Sequence, residues 1–247
     1  MKRFAEEKLK RWYGKKQRKP LIIRGARQVG KSTLVRNFAQ DNQLNLVEVN
    51  LERAPLLDEL FKTNETRRIL LELESLASQN ITDQNTLLFL DEIQATPSAI
   101  AALRYLSEDR PRLAIIAAGS LLEFTLASHH FSMPVGRVEY FHLGPMSFKE
   151  FLLALEESYL FECLEKYSDT KTIAQTAHDK LLKLQREYFF IGGMPEAVLV
   201  YSQTKSLSET REIHRSIIQT YQDDFSKYAT AAVVNRLPVS YTHLRAH

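Results

Sequence analysis

The sequence has little cysteine and no long apolar run. Its single cysteine, Cys163, cannot form a disulfide within the chain, which fits a reducing compartment and predicts a cytoplasmic protein. The first residues, MKRFAEEKLKRWYGKK, lack the apolar stretch of a secretory signal. No segment approaches the roughly 18 apolar residues that cross a bilayer, so we expect no membrane partner.

Charge is distributed unevenly along the chain. The net charge is +3 for 247 residues, but the first 20 residues hold nine lysines and arginines and only two acidic residues, Glu6 and Glu7. Such a basic leader can contact phosphate, either in nucleic acid or on a membrane surface, but the favoured interpretation is the solvated face of a helix. Only Trp12 and Tyr13 in it could stack on bases, so the support for a nucleic-acid partner is weak.

Short apolar runs alternate with helical patterns over the first 145 residues. Strands are predicted at 21–24, 46–51, 86–90, 113–118 and 138–143, and helices at about 3–14, 31–40, 66–79 and 97–109. Because the strand segments are apolar throughout, they predict a parallel sheet that is covered on both faces. Beyond residue 145 the pattern is mostly helical, with helices predicted at about 147–159, 172–190 and 207–229.

A glycine-rich segment follows the first predicted strand. Its sequence, GARQVGKS, matches G-x-x-x-x-G-K-[ST], in which backbone N–H groups point at phosphates, the lysine reaches the β- and γ-phosphates and the hydroxyl binds Mg²⁺. The expected nucleotide-binding residues are Gly25, Ala26, Arg27, Gln28, Val29, Gly30, Lys31, Ser32 and Thr33. No N-K-x-D segment is present to bind guanine, so the motif predicts ATP and Mg²⁺ as the cofactors.

Two carboxylates end the third predicted strand, in the segment LLFLDE. Ligands of parallel α/β sheets bind at the carboxyl ends of the strands, so Asp91 is expected to share Mg²⁺ with Ser32. Glu92 is expected to orient and deprotonate the attacking water. The alternative for Glu92 is an acidic residue at a helix start. A carboxylate pair in this position favours attack by water over transfer to a bound acceptor, so a small-molecule kinase is a weaker hypothesis.

Two further polar residues join Lys31 and Glu92 in the predicted catalytic set. Ser120 follows the fourth strand and is expected to contact the water or the γ-phosphate, or alternatively to cap a following helix. Arg137 precedes the fifth strand. Its guanidinium could stabilise charge on the γ-phosphate in its own or a neighbouring subunit, and the alternative is an ordinary surface arginine.

Several segments resemble one group of proteins. GARQVGKST, LLFLDEIQ, AAGS and VGRVEYFHLGPMSFKEFL resemble prokaryotic AAA+ ATPases of the archaeal-type, signal-transduction-related branch. YFFIGGMPEAV and YQDDFSKY resemble that group's junction with a C-terminal domain of unknown function, often compared to a restriction endonuclease. The resemblance covers about residues 1–237. It implies that Asp91 and Glu92 are a Walker B pair, Ser120 a sensor and Arg137 an arginine finger or sensor, and that most of the C-terminal domain is missing here.

The expected fold is therefore a three-layer α/β/α P-loop NTPase of AAA+ type, with a parallel central sheet and a mostly helical C-terminal region. Four segments are expected: a basic helix and loop (1–20), the ATPase core (21–145), a helical lid with the start of a C-terminal domain (146–237) and a non-native tail (238–247), whose sequence resembles an adaptor-derived extension. Within the third segment, residues 188–191 are expected to be core, and Gly192 and Gly193 a turn.

The predicted function is Mg²⁺-dependent ATP hydrolysis in a nucleotide-driven switch or remodelling module. The alternative is a non-catalytic module that binds DNA or a protein partner in response to nucleotide. A homo-oligomer and an unidentified protein partner are the expected assemblies.

Overall fold

The computed structural model describes residues 1–120, 136–167 and 172–228. The chain divides into two compact units, Lys2–Gly144 and a second that begins at Pro145. The first contains a five-stranded parallel sheet of order β2-β3-β4-β1-β5. Its strands are β1 (Leu21–Arg24), β2 (Asn45–Asn50), β3 (Thr86–Asp91), β4 (Ala114–Gly119) and β5 (Glu139–His142).

Helices cover both faces of this sheet. They are α1 (Ala5–Tyr13), α2 (Lys31–Asp41), α3 (Leu57–Lys62), α4 (Thr66–Ala77) and α5 (Pro97–Asp109), with short 3₁₀ helices at Leu51–Arg53 and Ile93–Ala95. Neighbouring strand residues point to opposite faces. Leu88 and Leu90 therefore pack in a core with α3, α4 and α5, while Leu87 and Phe89 are equally buried. Contacts of α2 with β2, β3 and β4 cover the second face, and α1 contacts α2.

This arrangement confirms the predicted α/β P-loop fold, and it also explains the continuous apolar runs. Every residue of β3 and of β4 is buried, because both strands lie inside the sheet and are covered on both sides. The order of the strands was not predicted. It places β4 between β1, which precedes the glycine-rich segment, and β3, which ends in Asp91.

The basic leader belongs to the first unit. Ala5, Leu9 and Trp12 form the buried face of α1, as expected for an amphipathic helix, and the Trp12 indole donates a hydrogen bond of 2.8 Å to the Lys19 carbonyl. Most of the lysines and arginines of the leader are exposed. Arg3 differs from them because its side chain is buried, which neither a solvated helix face nor a nucleic-acid surface predicts.

The second unit is helical throughout its described residues. Its helices are α6 (Phe148–Ala154), α7 (Ser158–Lys166), α8 (Gln175–Ile191), α9 (Pro195–Thr204) and α10 (Leu207–Tyr228). The helix predicted at 147–159 is in fact two helices, and α9 was not predicted. Ser147 begins α6 with a capping box, in which its backbone N–H donates to Glu150 Oε2 at 2.8 Å and its Oγ accepts from the Glu150 N–H. Residues 238–247 lie outside the described part of the chain.

The apolar cluster at 188–191 is only partly core, so that prediction is wrong for two of its residues. Ile191 is buried, but Phe189 is 74% exposed and Phe190 47% exposed. The cause is that α8 continues to Ile191, so residues three apart share a face while neighbours point about 100° apart. Gly192, with φ of 71°, ends the helix as the predicted turn requires. No helix in the described residues is apolar over enough of its length to cross a bilayer.

Candidate functional site

The glycine-rich segment connects β1 to α2 at the carboxyl edge of the sheet. Gly25 has φ of 151°, and a Cβ built on it would lie 2.2 Å from the Leu143 carbonyl oxygen. Gly30 precedes α2 with φ of 88°, and Gln28 also has a positive φ of 63°. The loop thus takes backbone conformations that disfavour side chains, and it leads into a helix N-terminus, where free N–H groups attract anions.

Lys31 reaches back over this loop. Its Nζ donates hydrogen bonds to the carbonyl oxygens of Gly25, at 3.0 Å, and Ala26, at 2.9 Å. Burial lowers the pKa of Lys31, Arg27 lowers it further, and the carboxylates of Glu92 and Asp91 act in the opposite direction. An ammonium that is buried, and that two carbonyls alone hold among the described residues, is well placed to exchange them for the oxygens of a phosphate.

The two predicted metal ligands are in direct contact. Ser32 Oγ donates a hydrogen bond of 2.7 Å to Asp91 Oδ2, and the other carboxylate oxygen accepts one of 3.1 Å from the Glu92 N–H. Burial raises the pKa of Asp91, and the hydrogen bond from Ser32 partly offsets that effect. A hydroxyl and a carboxylate are hard oxygen ligands that suit Mg²⁺. No group of three or more metal-ligating side chains exists within the described residues, so phosphate and water oxygens would have to complete the shell.

Glu92 follows Asp91 in a left-handed conformation, with φ of 53°. Such a conformation costs a non-glycine residue roughly 1–3 kcal/mol, and strain of this kind is common at functional sites. The side chain accepts a hydrogen bond of 2.5 Å from Gln94 Nε2. Gln94 was not predicted as a site residue, although it lies within the segment LLFLDEIQ. Glu92 also precedes the 3₁₀ helix Ile93–Ala95, so the alternative of an acidic residue at a helix start describes its position equally well.

Ser120 lies at the same edge of the sheet, directly after β4. Its side chain is buried, and its Oγ has no hydrogen-bond partner among the described residues. A buried hydroxyl without a partner indicates a place for a water or a ligand oxygen. The helix that Ser120 was alternatively expected to cap would begin at residue 121, outside the described part of the chain.

Arg137 lies at the opposite edge of the sheet. In the parallel pairing of β1 with β5, Leu21 is opposite Glu139 and Arg24 is opposite His142. Arg137 therefore lies near the amino ends of the strands, whereas the glycine-rich loop lies at their carboxyl ends. The guanidinium is about half exposed and lies 3.4 Å from Glu108. The structure does not bring Arg137 together with the other predicted residues of its own chain.

Arg3 supports the loop from the N-terminal leader, and sequence reasoning missed it. Its Nη1 donates to the Val29 carbonyl at 2.9 Å, and its Nη2 donates to the Gly144 carbonyl at 2.7 Å. Val29 itself is fully buried. Backbone carbonyls belong to every residue type, so no sequence signal marks Val29 or Gly144 as an acceptor.

The chain is similar to several known proteins. Solved structures with a similar fold include C. elegans PCH-2, with 16% identity over 82% of this chain and 60% of that one (TM-score 0.42), and Drosophila ORC bound to DNA, with 13% identity over 87% and 66% (TM-score 0.47). This chain thus spans less than two thirds of either structure.

No curated protein matches the sequence. A model of a domain of unknown function (DUF8612) matches residues 182–246. The model of the AAA domain matches residues 17–152, which is more than half of the sequence, so the chain belongs to the AAA domain family.

Proposed function

We propose that the protein binds ATP with Mg²⁺ through residues 25–33 and hydrolyses it, with Glu92 as the general base. The observation that carries the proposal is the 2.7 Å contact of Ser32 with Asp91, because it brings the hydroxyl of the glycine-rich motif and the carboxylate of the third strand to the positions that one Mg²⁺ would share. Family membership supports the same assignment.

Each residue has a distinct part in the proposed reaction. Loop N–H groups hold the phosphates, and Lys31 gives up its bonds to Gly25 and Ala26 to donate to β- and γ-phosphate oxygens. When bound to Ser32 and Asp91, Mg²⁺ would neutralise charge on those oxygens. Glu92 takes a proton from a water whose oxygen bonds to the γ-phosphorus. The bond from that phosphorus to the β–γ bridging oxygen breaks, and ADP and inorganic phosphate leave.

We further propose that Arg137 acts on a neighbouring subunit in a homo-oligomer. Its place at the amino edge of the sheet removes it from the phosphates of its own chain, and its half-exposed guanidinium, although paired with Glu108, can contact another molecule. Mixing Glu92→Gln with Arg137→Ala subunits tests the idea. A site formed by the Glu92 of one chain and the Arg137 of the next is intact in such a mixture, so activity should exceed that of either variant alone. No recovery on mixing would overturn the role in trans.

We also propose that ATP binding and hydrolysis drive a conformational switch. A nucleotide-driven switch would pass the nucleotide state to the helices that begin after residue 145, and through them to a protein partner in a cytoplasmic setting. The second candidate is a non-catalytic binding module. Arg137 lies away from the glycine-rich loop of its own chain, and this favours the second candidate for a chain that has not formed an oligomer. Slow single-turnover hydrolysis with tight retention of nucleotide would support that candidate.

Steady-state ATP hydrolysis, measured with and without DNA, tests the main proposal. Lys31→Ala should lose ATP binding. Glu92→Gln should keep ATP binding and lose turnover by about 10²–10⁴-fold, the usual contribution of a general base. Turnover in Lys31→Ala equal to that of the unchanged protein would remove the enzyme assignment. Full turnover in Glu92→Gln would remove only the role of Glu92.

A further inference from the structure

The side chain of Gln94 connects the ends of two neighbouring strands. Its Nε2 donates to Glu92 Oε2 at 2.5 Å, after β3. Its Oε1 is buried and has no hydrogen-bond partner in the described part of the chain. A glutamine amide offers a donor and an acceptor on one planar group, so the bond to Glu92 leaves the acceptor available for another donor.

The acceptor lies against the end of β4. A Cβ built on Gly119 would be only 2.5 Å from Gln94 Oε1, so the glutamine amide occupies the space that glycine leaves open. The next residue is Ser120, whose buried Oγ likewise lacks a partner among the described residues. Since β4 separates β3 from β1, the amide lies on the side of Glu92 that faces the glycine-rich loop.

From this geometry we propose that Gln94 is a positioning residue for Glu92. Its N–H group holds the carboxylate in one orientation, and its Oε1 helps to retain the water that Glu92 deprotonates. The inference rests on the proposed hydrolytic function and deepens it. A glutamate side chain has three rotatable bonds, and this hydrogen bond restricts their rotation. Gln94 Oε1 and Ser120 Oγ are both buried and without partners among the described residues, and buried polar atoms of this kind are expected where a water is bound.

The first test replaces Gln94 with alanine in the full chain. The kcat for ATP should fall by about 10- to 100-fold, as expected for a catalytic group displaced by about 1 Å, while KM and ATP affinity stay close to their original values. That separation of kcat from KM distinguishes positioning of the base from a general loss of structure. An unchanged kcat overturns the proposal. An increased kcat also overturns it, because it would show that the amide restrains Glu92 instead of positioning it.

The second test uses Gly119→Ala, which moves Gln94 without altering it. The new methyl group contacts only the end of a flexible side chain at short range, so the fold should tolerate it. We expect kcat to fall in Gly119→Ala, and the same substitution to have little further effect when Gln94→Ala is already present. Residues that act through one contact give non-additive effects of this kind. Additive losses would contradict the proposal.

Glu92→Gln keeps the two proposals distinguishable. If Glu92→Gln loses turnover and Gln94→Ala retains its kcat, Gln94 is not a positioning residue and the proposed function stands. If Glu92→Gln retains turnover, the role of Glu92 fails, and the role of Gln94 fails with it. Thermal unfolding of all variants shows whether each of them is folded.

Discussion

Ser32 Oγ donates a 2.7 Å hydrogen bond to Asp91 Oδ2 and so joins the start of α2 to the end of β3. The two residues are 59 positions apart in sequence. Their contact places a buried carboxylate, whose charge is costly to bury, at the point where a divalent cation would compensate for it. Binding of Mg²⁺ would exchange a hydrogen bond for two metal–oxygen bonds. The stability of the nucleotide-free protein and the proposed binding of Mg²⁺ therefore make opposite demands on Asp91.

Asp91→Asn should stabilise the nucleotide-free protein and abolish its response to Mg²⁺. Burial raises the pKa of Asp91, so its contribution to folding stability falls as pH rises from the ordinary range of a carboxyl group through the raised value. Asparagine keeps an acceptor for Ser32 without the charge. We expect the unfolding temperature to rise by about 2–4 °C, equivalent to roughly 1 kcal/mol, and Mg-ATP to stabilise the variant no more than ATP without Mg²⁺ does.

The matched control is Asp41→Asn, at the exposed end of α2, which should change neither property. Thermal unfolding without ligand, with ATP alone and with Mg-ATP provides the measurement. Stabilisation of Asp91→Asn by Mg-ATP equal to that of the unchanged protein would show that Asp91 is not a metal ligand.

Arg3→Met should destabilise the first unit and weaken ATP binding together. Methionine keeps the apolar volume but leaves the carbonyls of Val29 and Gly144 without their donors, at a cost of about 1–3 kcal/mol in the free energy of unfolding. Because Val29 belongs to the glycine-rich loop, the loss should also raise the Kd for ATP. Urea unfolding and ATP titration measure the two effects. Lys2→Met, at an exposed neighbouring position, is the control. An Arg3→Met protein with unchanged ATP affinity would show that the loop does not depend on this support.

These residues show what could be predicted from the sequence. The glycine-rich motif, Asp91 and Glu92 could be chosen as candidate site residues because their residue types suit the chemistry and they follow apolar strands at recognisable spacing. The acceptors of Arg3 are backbone carbonyls 26 and 141 residues away, and no residue type marks such an acceptor. Gln94 could have been noted within LLFLDEIQ, but its contact with Gly119 depends on the strand order, which periodicity does not determine. Most helices and strands were predicted because burial imposes a period, but α3 and α9 were missed. The apolar residues of α9 do not lie on one face, so no such period marks it.

The Tyr201→Phe variant should lose less stability at alkaline pH than the unchanged protein does. Burial raises the pKa of Tyr201 to about 12, and its 2.8 Å hydrogen bond to Glu187 adds to this effect. The fold favours the protonated phenol, so the stabilisation is complete below the ordinary value of 10.0 and is lost as pH rises towards about 12. Near neutral pH the variant should be less stable by about 1 kcal/mol, because it lacks the hydrogen bond.

The measurement is urea unfolding of both proteins at about pH 9 and about pH 11, on either side of the ordinary tyrosine pKa. Other tyrosines and lysines titrate alike in the two proteins, so the difference between them isolates Tyr201. The stability gap should narrow at the higher pH. A gap that is independent of pH would contradict the raised pKa.

Gly25→Ala should abolish ATP binding and reduce stability. The added Cβ would lie 2.2 Å from the Leu143 carbonyl oxygen, and the φ of 151° is unfavourable for alanine even without that clash. Both partners are backbone, so the loop itself must move, at an expected cost of roughly 1–3 kcal/mol. The control is Gly144→Ala, where a Cβ would meet nothing within 4 Å and φ is not in the left-handed region. ATP titration measures nucleotide binding by the two variants, and thermal unfolding measures their stability. If both bind ATP equally well, the close approach of Gly25 to Leu143 is not what shapes the phosphate site.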